Sequence, residues 1–438
     1  MAIFLTITIL YIMYFSYKIS GRLFSPPCIA CLSMGTAALV CSCNMGYWGF
    51  DISFSTILVV ALGLIVFLMG YVIGRKLFKR NVIHNNEKKR FELHWIYVLI
   101  IICIGTVAVY GFYTEVNMHL WLLQASIDDD GAFARLHAAG RKSFDYSWYI
   151  KYPLAFLQTI TIVFIYCFIY NITRFGFRRT DLYFLSPVPY YIANSILRTD
   201  RNEILLLVLV MISLYMLMKK EITRKSVVVS ICGVISFIAF FGFFRMIKTG
   251  EYDIQITVDS ICVYIAGGLA AFDKLVEGNY GIESYEFGGT TFRSIYNFLK
   301  NVGFDYGDVL FSSYAGDGFV NIGTQFTTYG LGINTNVFTA FGRIFIDFGY
   351  VGIIVYFLLY GLIVGMIEKW TLSRQEGYRY IIYAYMLYPL YVFNFDEVLM
   401  LIVINPAMII KWIVGYYVYR YLCEKRKYFA DGNGIINA

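Results

Sequence analysis

Eleven runs of apolar residues succeed one another along the chain, at about 2–17, 27–46, 52–74, 93–113, 148–171, 181–197, 203–218, 226–244, 340–366, 379–394 and 397–418. Each comes near the ~20 residues that an α-helix needs to cross a ~30 Å hydrocarbon layer, although several are short. The pattern predicts an all-α, polytopic integral membrane protein with about 11 transmembrane helices in one domain, 1–438. The first run lacks a basic flank and a small-residue cleavage site, so it reads as a retained first helix.

The polar positions between these runs are as regular as the runs. Lys18 and Arg22 follow the first; Arg75, Lys76, Lys79, Arg80, Lys88, Lys89 and Arg90 follow the third. Arg174, Arg178 and Arg179 follow the fifth, and Lys219, Lys220, Arg224 and Lys225 the seventh. Lys369, Arg374 and Arg379 follow the ninth, and Arg420, Lys425, Arg426 and Lys427 the last. Every second loop is basic, and basic loops stay in the cytoplasm. The N-terminus is then expected outside and the C-terminus inside, in a bacterial cytoplasmic (inner) membrane. Three segments face outward: about 114–147, about 198–202, and a long one at about 245–340. Within the long one, Ile254 to Val276 is apolar enough for an interfacial or re-entrant helix. Gly281 to Ala340 is rich in Gly, Tyr, Phe, Thr and Asn and reads as a lid or binding loop.

Composition agrees with this reading. The chain is 59% hydrophobic and only 15% charged, with a mean hydropathy of +0.63. A soluble protein would carry roughly a quarter charged residues. The net charge of +7 reads as a topology signal rather than as affinity for nucleic acid, because the cations sit in short loops between apolar runs. The nine cysteines lie mostly inside apolar runs; Cys28 and Cys31 have CxxC spacing without a second pair or a His cluster, so no metal site is expected. Asp128-Asp129-Asp130 has no neighbouring nucleotide-binding fold and is not read as a metal motif. Asn171-Ile172-Thr173 falls at an expected cytoplasmic boundary and is discounted as a glycan acceptor. There is no internal repeat of the kind many secondary transporters carry, and no GxxxxGK[ST] loop.

Outward-facing cations are the informative ones, because the topology rule does not call for them. Arg198 and Arg201 share a face by i, i+3 spacing if helical, and Arg245 and Lys248 repeat that spacing. Arg135 and Arg141 lie in the first outer loop beside His137; Arg293 and Arg343 belong to the long loop and its re-entry. Arginine offers a planar fork that matches phosphate oxygens and keeps its charge near lipid. These eight are candidate anion-binding residues, against the alternative that they snorkel to headgroups or pair with Asp200 and Glu203. Asp347 enters the ninth run, where a carboxylate is costly unless paired or wet. Arg343, four residues earlier, is in reach for an ion pair. Asp347, His137, Glu203 and the loop acids Asp305, Asp308 and Asp317 are the candidate proton acceptors; an unperturbed imidazole pKa of ~6.5 suits proton transfer.

Two stretches resemble a known family. One is Arg198-Thr199-Asp200-Arg201, followed by the leucine-rich run Ile204 to Leu217. The other is Thr327 to Met366, TTYGLGINTNVFTAFGRIFIDFGYVGIIVYFLLYGLIVGM. With the long outer loop before the last three runs, the layout resembles the Wzy-type O-antigen (oligosaccharide repeat unit) polymerases over most of the chain. The resemblance implies a GT-C-like membrane glycosyltransferase of lipopolysaccharide or capsule synthesis. Its donor and acceptor are expected to be undecaprenyl-diphosphate-linked oligosaccharides, with no cofactor or metal. Periplasmic arginines, here Arg198, Arg201 and Arg245, are expected on the donor diphosphate, and a chain-length-determinant co-polymerase is an expected partner. Two alternatives are a lipid-linked oligosaccharide flippase, for which repeats and intramembrane charges are wanting, and an O-antigen ligase. Ligases of this kind use a His in the long outer loop, and no His lies between Gly250 and Ala438.

Overall fold

The computed structural model describes residues 1–48, 51–77, 89–122, 147–198, 201–219, 254–278, 288–303, 320–326, 332–335, 337–373 and 377–432. In chain order the helices are α1 (Ala2–Ser20), α2 (Pro26–Trp48), α3 (Phe54–Leu77), α4 (Trp95–Leu122), α5 (Trp148–Phe175), α6 (Val188–Leu197), α7 (Arg201–Met218), α8 (Ile254–Val276), α9 (Arg293–Asn301), α10 (Thr339–Leu372), α11 (Tyr378–Tyr391) and α12 (Pro406–Gly432). A 3-10 turn at Arg179–Leu185 precedes α6, and a π-helical turn at Leu399–Val403 precedes α12. One antiparallel hairpin, β1 (Val320–Phe326) with β2 (Gly332–Thr335), sets Val320 opposite Thr335.

Among the described residues, six helices are long and apolar enough to cross a membrane: α1, most of α2, α3, most of α4, α5 and α10. The protein is an integral membrane protein whose described elements are helical apart from one hairpin. Large apolar side chains are half exposed along α1, α4 and α12, including Ile3, Ile7, Ile104, Val107, Ile410 and Ile413. Lipid tails are as apolar as these side chains, so such faces carry no penalty in a bilayer. The other expected runs have a different form. The run at 181–197 is the 3-10 turn plus the ten-residue α6, and 203–218 is the short apolar helix within α7. The run at 379–394 forms the 14-residue α11, and 397–418 is broken between the π turn and α12. A ten-residue helix rises only about 15 Å. The run at 226–244 lies outside the described residues, as do 123–146 of the first outer loop.

The chain forms two compact units. The first comprises Met1–His84, Ile254–Gln375 and Tyr385–Ile409. Its tightest contact is α3 against α10, and glycine makes it possible. A Cβ on Gly70 or Gly74 would stand 2.1 Å from the carbonyl oxygens of Leu358 and Leu362. Reciprocally, a Cβ on Gly361 or Gly365 would meet the carbonyls of Phe67 and Tyr71 at 2.1 and 2.4 Å. Two small-xxx-small faces thus meet backbone to backbone, which is how helices gain packing energy where lipid removes the hydrophobic drive. One end of this pair is closed by the Tyr71 hydroxyl, which donates to Glu368 Oε2 at 2.6 Å, with Arg75 Nε 3.4 Å from the same oxygen. Farther along, Phe341, Phe357 and Phe393 form a ring triad with centroids 4.6–5.5 Å apart. On α8, buried Asp273 accepts hydrogen bonds from the Ser53 amide and hydroxyl at 2.8 and 2.7 Å.

The second unit comprises Asn85–Asp253, Glu376–Ala384 and Ile410–Ala438. A buried ion pair organises one side of it: Arg90 donates to both oxygens of Asp181 and to the Gly176 carbonyl. Asn171 donates to Asp181 and exchanges hydrogen bonds with the Phe91 backbone in both directions at 2.9 Å. Asn171 is fully buried, so its amide is spent on the fold. Tyr378 donates to the Trp412 carbonyl at 2.8 Å, and the Gly377 amide donates to the Tyr166 hydroxyl at 3.1 Å.

Candidate functional site

Polar side chains gather inside apolar surroundings in each unit. In the first, the gathering is built on the opening turns of α10. Thr339 enters the helix with φ 63°, a left-handed conformation that is a genuine outlier for a β-branched residue and marks stored strain. It is held there from outside the helix: its amide donates to the Phe395 carbonyl at 3.0 Å, and the Ala340 amide to Phe393 at 2.9 Å. Its own hydroxyl accepts from the Phe341 amide at 3.2 Å. Ten residues on, Gly349 takes φ 58°, ψ −149° and breaks the helix. A short piece, 339–348, carrying both Arg343 and Asp347, therefore precedes the long apolar piece.

Arg343 does not turn to Asp347. Its Nε and Nη2 donate to the two carboxylate oxygens of Asp396, each at 2.9 Å. The planar fork finds a matched bidentate partner across the turn, which a carboxylate four residues along the same helix rarely offers. Asp347 is 3% exposed and accepts hydrogen bonds from the Thr290 and Thr291 amides at 3.2 and 2.7 Å. The Thr290 hydroxyl donates back to the Arg343 carbonyl at 3.1 Å. Glu397, 2% exposed, accepts from the Tyr356 hydroxyl at 2.5 Å and the Met400 amide at 3.1 Å. The short helix thus ties together the 288–292 turn and the 393–397 junction. Gly268 of α8 touches the junction so closely that a Cβ would stand 2.7 Å from the Asn394 carbonyl. Asn394 is itself fixed by Ser33 at 2.8 Å and the Ile265 carbonyl at 2.6 Å.

In the second unit the gathering lies where α5, α6, α7 and α12 meet. Tyr191 of α6 donates to both the Glu203 carboxylate and the Glu203 carbonyl. Gln158 of α5 donates to the same carboxylate at 2.9 Å, and Lys411 of α12 donates to Gln158 Oε1 at 3.3 Å. Arg198 caps α6 and is exposed. It lies, with Glu203, within Coulombic range of the Lys411 ammonium.

The candidates read from the sequence are thus distributed. Arg343 and Asp347 share the short helix of the first unit, and Arg293 opens α9 two residues after Thr291. Arg198 and Arg201 end α6 and begin α7 in the second unit. His137, Arg135, Arg141, Arg245, Lys248, Asp305, Asp308 and Asp317 lie outside the described residues. Among the charged members of these two gatherings, Asp396, Glu397 and Lys411 escaped the sequence reading. The signal was present. Asn394-Phe395-Asp396-Glu397 interrupts an otherwise apolar stretch from Tyr388 to Ile404, and Lys411 stands alone within the last run. Among the described residues no group of three or more His, Cys, Asp or Glu is disposed to hold a metal ion.

No curated protein and no solved structure matches the chain. A family model described as "Putative O-antigen polymerase" matches residues 147–393. The match takes in more than half of the 438 residues, including Arg198, Arg201, Arg245, Lys248, Arg293, Arg343 and Asp347, and it agrees with the membrane architecture. On that extent of match, the chain belongs to the O-antigen polymerase family.

Proposed function

We propose that this protein polymerises undecaprenyl-diphosphate-linked oligosaccharide repeat units into O-antigen or capsular polysaccharide at the periplasmic face of the bacterial inner membrane. The observation that carries the reading is the family match over 147–393, because it encloses most of the outward cations. Eleven crossings of a GT-C-like fold, with the N-terminus periplasmic and the C-terminus cytoplasmic, belong to the same reading. A flippase or a ligase draws no support from the match.

The chemistry suits the compartment. No nucleotide is at hand outside the membrane, so the donor arrives already activated. An acceptor hydroxyl oxygen attacks the anomeric carbon of the donor sugar; the bond from that carbon to the diphosphate oxygen breaks. The electron pair leaves with undecaprenyl diphosphate, and the hydroxyl proton passes to a base. Charge building on the leaving group is what fixed cations stabilise. Arg198, Arg201 and Arg245, with Lys248, Arg135, Arg141, Arg293 and Arg343 as further contributors, supply it in this reading. The base must lie within hydrogen-bond reach of the acceptor. Of His137 and Asp347, His137 is preferred, because both Asp347 oxygens already accept backbone amides.

The test substitutes Arg198, Arg201 and Arg245 singly by Ala in a host carrying the matching polysaccharide locus. Membrane levels are checked and surface polysaccharide is run on a gel. Loss of the ladder with a single repeat unit still reaching the surface is the expected result. A full ladder in all three variants refutes the arginine site. Loss of every surface repeat, the single unit included, points to a flippase or ligase.

A further inference from the structure

A cavity of about 410 Å³ opens between α4, α5 and α12 of the second unit, within the ~300–1,000 Å³ range of small-ligand pockets. Its lining is mostly apolar and includes Ile100 and Ile104 of α4, Phe164 of α5 and Leu422 of α12. Phe164 and Leu422 are buried and form the floor; Ile100 and Ile104 are 47% and 52% exposed. The cavity therefore opens sideways, on the apolar face that α4 turns to hydrocarbon.

Polar groups gather at one end of it. Glu92 and His94, just before α4, line that end together with Tyr97 and Tyr421. The two tyrosine hydroxyls meet at 2.7 Å and tie α4 to α12. The Glu92 carboxylate is exposed and makes no hydrogen bond or ion pair with a described residue. The Ile96 amide donates to His94 Nδ1 at 3.4 Å, which leaves the proton of the neutral ring on Nε2, as a donor. From Trp95 to Ile104 the helix rises about 14 Å, close to half of a ~30 Å hydrocarbon layer. The cavity is thus one leaflet deep, with a carboxylate and an imidazole donor at its polar end. On the topology proposed above that end is cytoplasmic, since it follows Lys88-Lys89-Arg90, and Arg198 and Arg201 belong to the opposite face.

We propose that this cavity holds an acyl chain of a phospholipid whose headgroup carries an amine. The chain takes the one-leaflet depth between α4, α5 and α12. The headgroup ammonium meets the Glu92 carboxylate, and the phosphate accepts from His94 Nε2–H. A phospholipid without the amine leaves Glu92 unanswered and brings a second negative charge beside it, which selects against that headgroup.

The test uses the full chain in detergent, stripped of co-purified lipid, and reads bound lipid by native mass spectrometry. The probes are dioleoyl phosphatidylethanolamine and dioleoyl phosphatidylglycerol. Wild type is expected to bind the ethanolamine lipid about threefold or more tightly, the scale of an exposed ion pair. Glu92→Gln is expected to bind the two alike. Ile104→Trp, which fills the cavity from an exposed position, is expected to lose both; should it fail to assemble, Ile100→Trp reads the same quantity. Ile7→Trp, on the exposed apolar face of α1, is the control and is expected to match wild type. Equal affinity of wild type for the two lipids overturns the proposal, as does a preference that survives Glu92→Gln or binding that survives the cavity-filling variants. A lipid-free wild type of twice the chain mass, whose dimer is lost in Ile104→Trp, gives the cavity to a second copy instead. Each of these outcomes leaves the polymerase reading intact.

Discussion

Arg343 has a carboxylate one turn away on its own helix and instead bonds one 53 residues further along the chain. The reason is geometric. A bidentate pair needs fork and carboxylate in one plane, and the 393–397 junction presents Asp396 that way, whereas i, i+4 partners meet obliquely. Spacing alone made Asp347 the nearer partner; only the fold reveals Asp396. Asp347 is left to hold two backbone amides, and this predicts a role as anchor. Asp347→Asn keeps the shape but turns one acceptor into a donor facing an N–H, leaving a buried group unsatisfied at a cost of roughly 1–3 kcal/mol. A lowered melting temperature of the purified protein, with activity falling in proportion to folded material, is expected. Unchanged melting with activity abolished would make Asp347 the base instead. Asp396→Asn takes the matched carboxylate from the Arg343 guanidinium, which is 16% exposed. Breaking a buried pair on one side costs roughly 3 kcal/mol or more, and Arg343→Met with Asp396→Leu together should recover part of it. A thermal melt of the three variants checks this; a double variant no better than the singles would say the pair does more than neutralise charge.

At the scale of elements, periodicity and length carried much of the way. The long apolar runs became helices, although the helix expected to end at 113 continues to Leu122 and the one expected to end at 366 continues to Leu372; Ile254–Val276 is helical over the stretch expected of it. The short runs did not reveal their form, because apolar composition does not distinguish a spanning helix from a buried one, a 3-10 turn or a π turn. Glycine was also silent in the sequence reading: Gly70, Gly74, Gly361 and Gly365 are four among 37, and only the packing identifies them. The prediction they carry is specific. Gly361→Ala puts a methyl 2.1 Å from the Phe67 carbonyl oxygen, so the two backbones must part. Overpacking of that kind costs about 1–3 kcal/mol. Gly46→Ala, on α2 with nothing within 4 Å of its Cβ, is the control and should be neutral or slightly stabilising through helix propensity. Detergent-solubilised melting curves of the two variants measure the difference; equal melting would mean that α3 and α10 are not held by this contact.

For the molecule as a whole, the number of crossings fixes a parity that one experiment reads. Eleven spans put the two ends of the chain on opposite sides of the membrane, and the alternation of basic loops demands the same. The six long helices, taken alone, would return the C-terminus to the side of the N-terminus. The short elements decide between these. α6 with its 3-10 turn and α11 must then cross in partnership with neighbours, because a helix too short to span alone is tolerated only where its ends meet protein or water. The buried Arg90–Asp181 network and the Tyr378–Trp412 bond satisfy polar groups at such ends. With α6, α7, α11, α12 and the run at 226–244, which lies outside the described residues, eleven crossings are expected. Reporter fusions test it: green fluorescent protein should fluoresce after Lys220, Arg374 and Lys427, and alkaline phosphatase should be active after Asn202 and Gly281. Phosphatase activity after Lys427 would put the C-terminus outside and remove an odd number of the expected crossings.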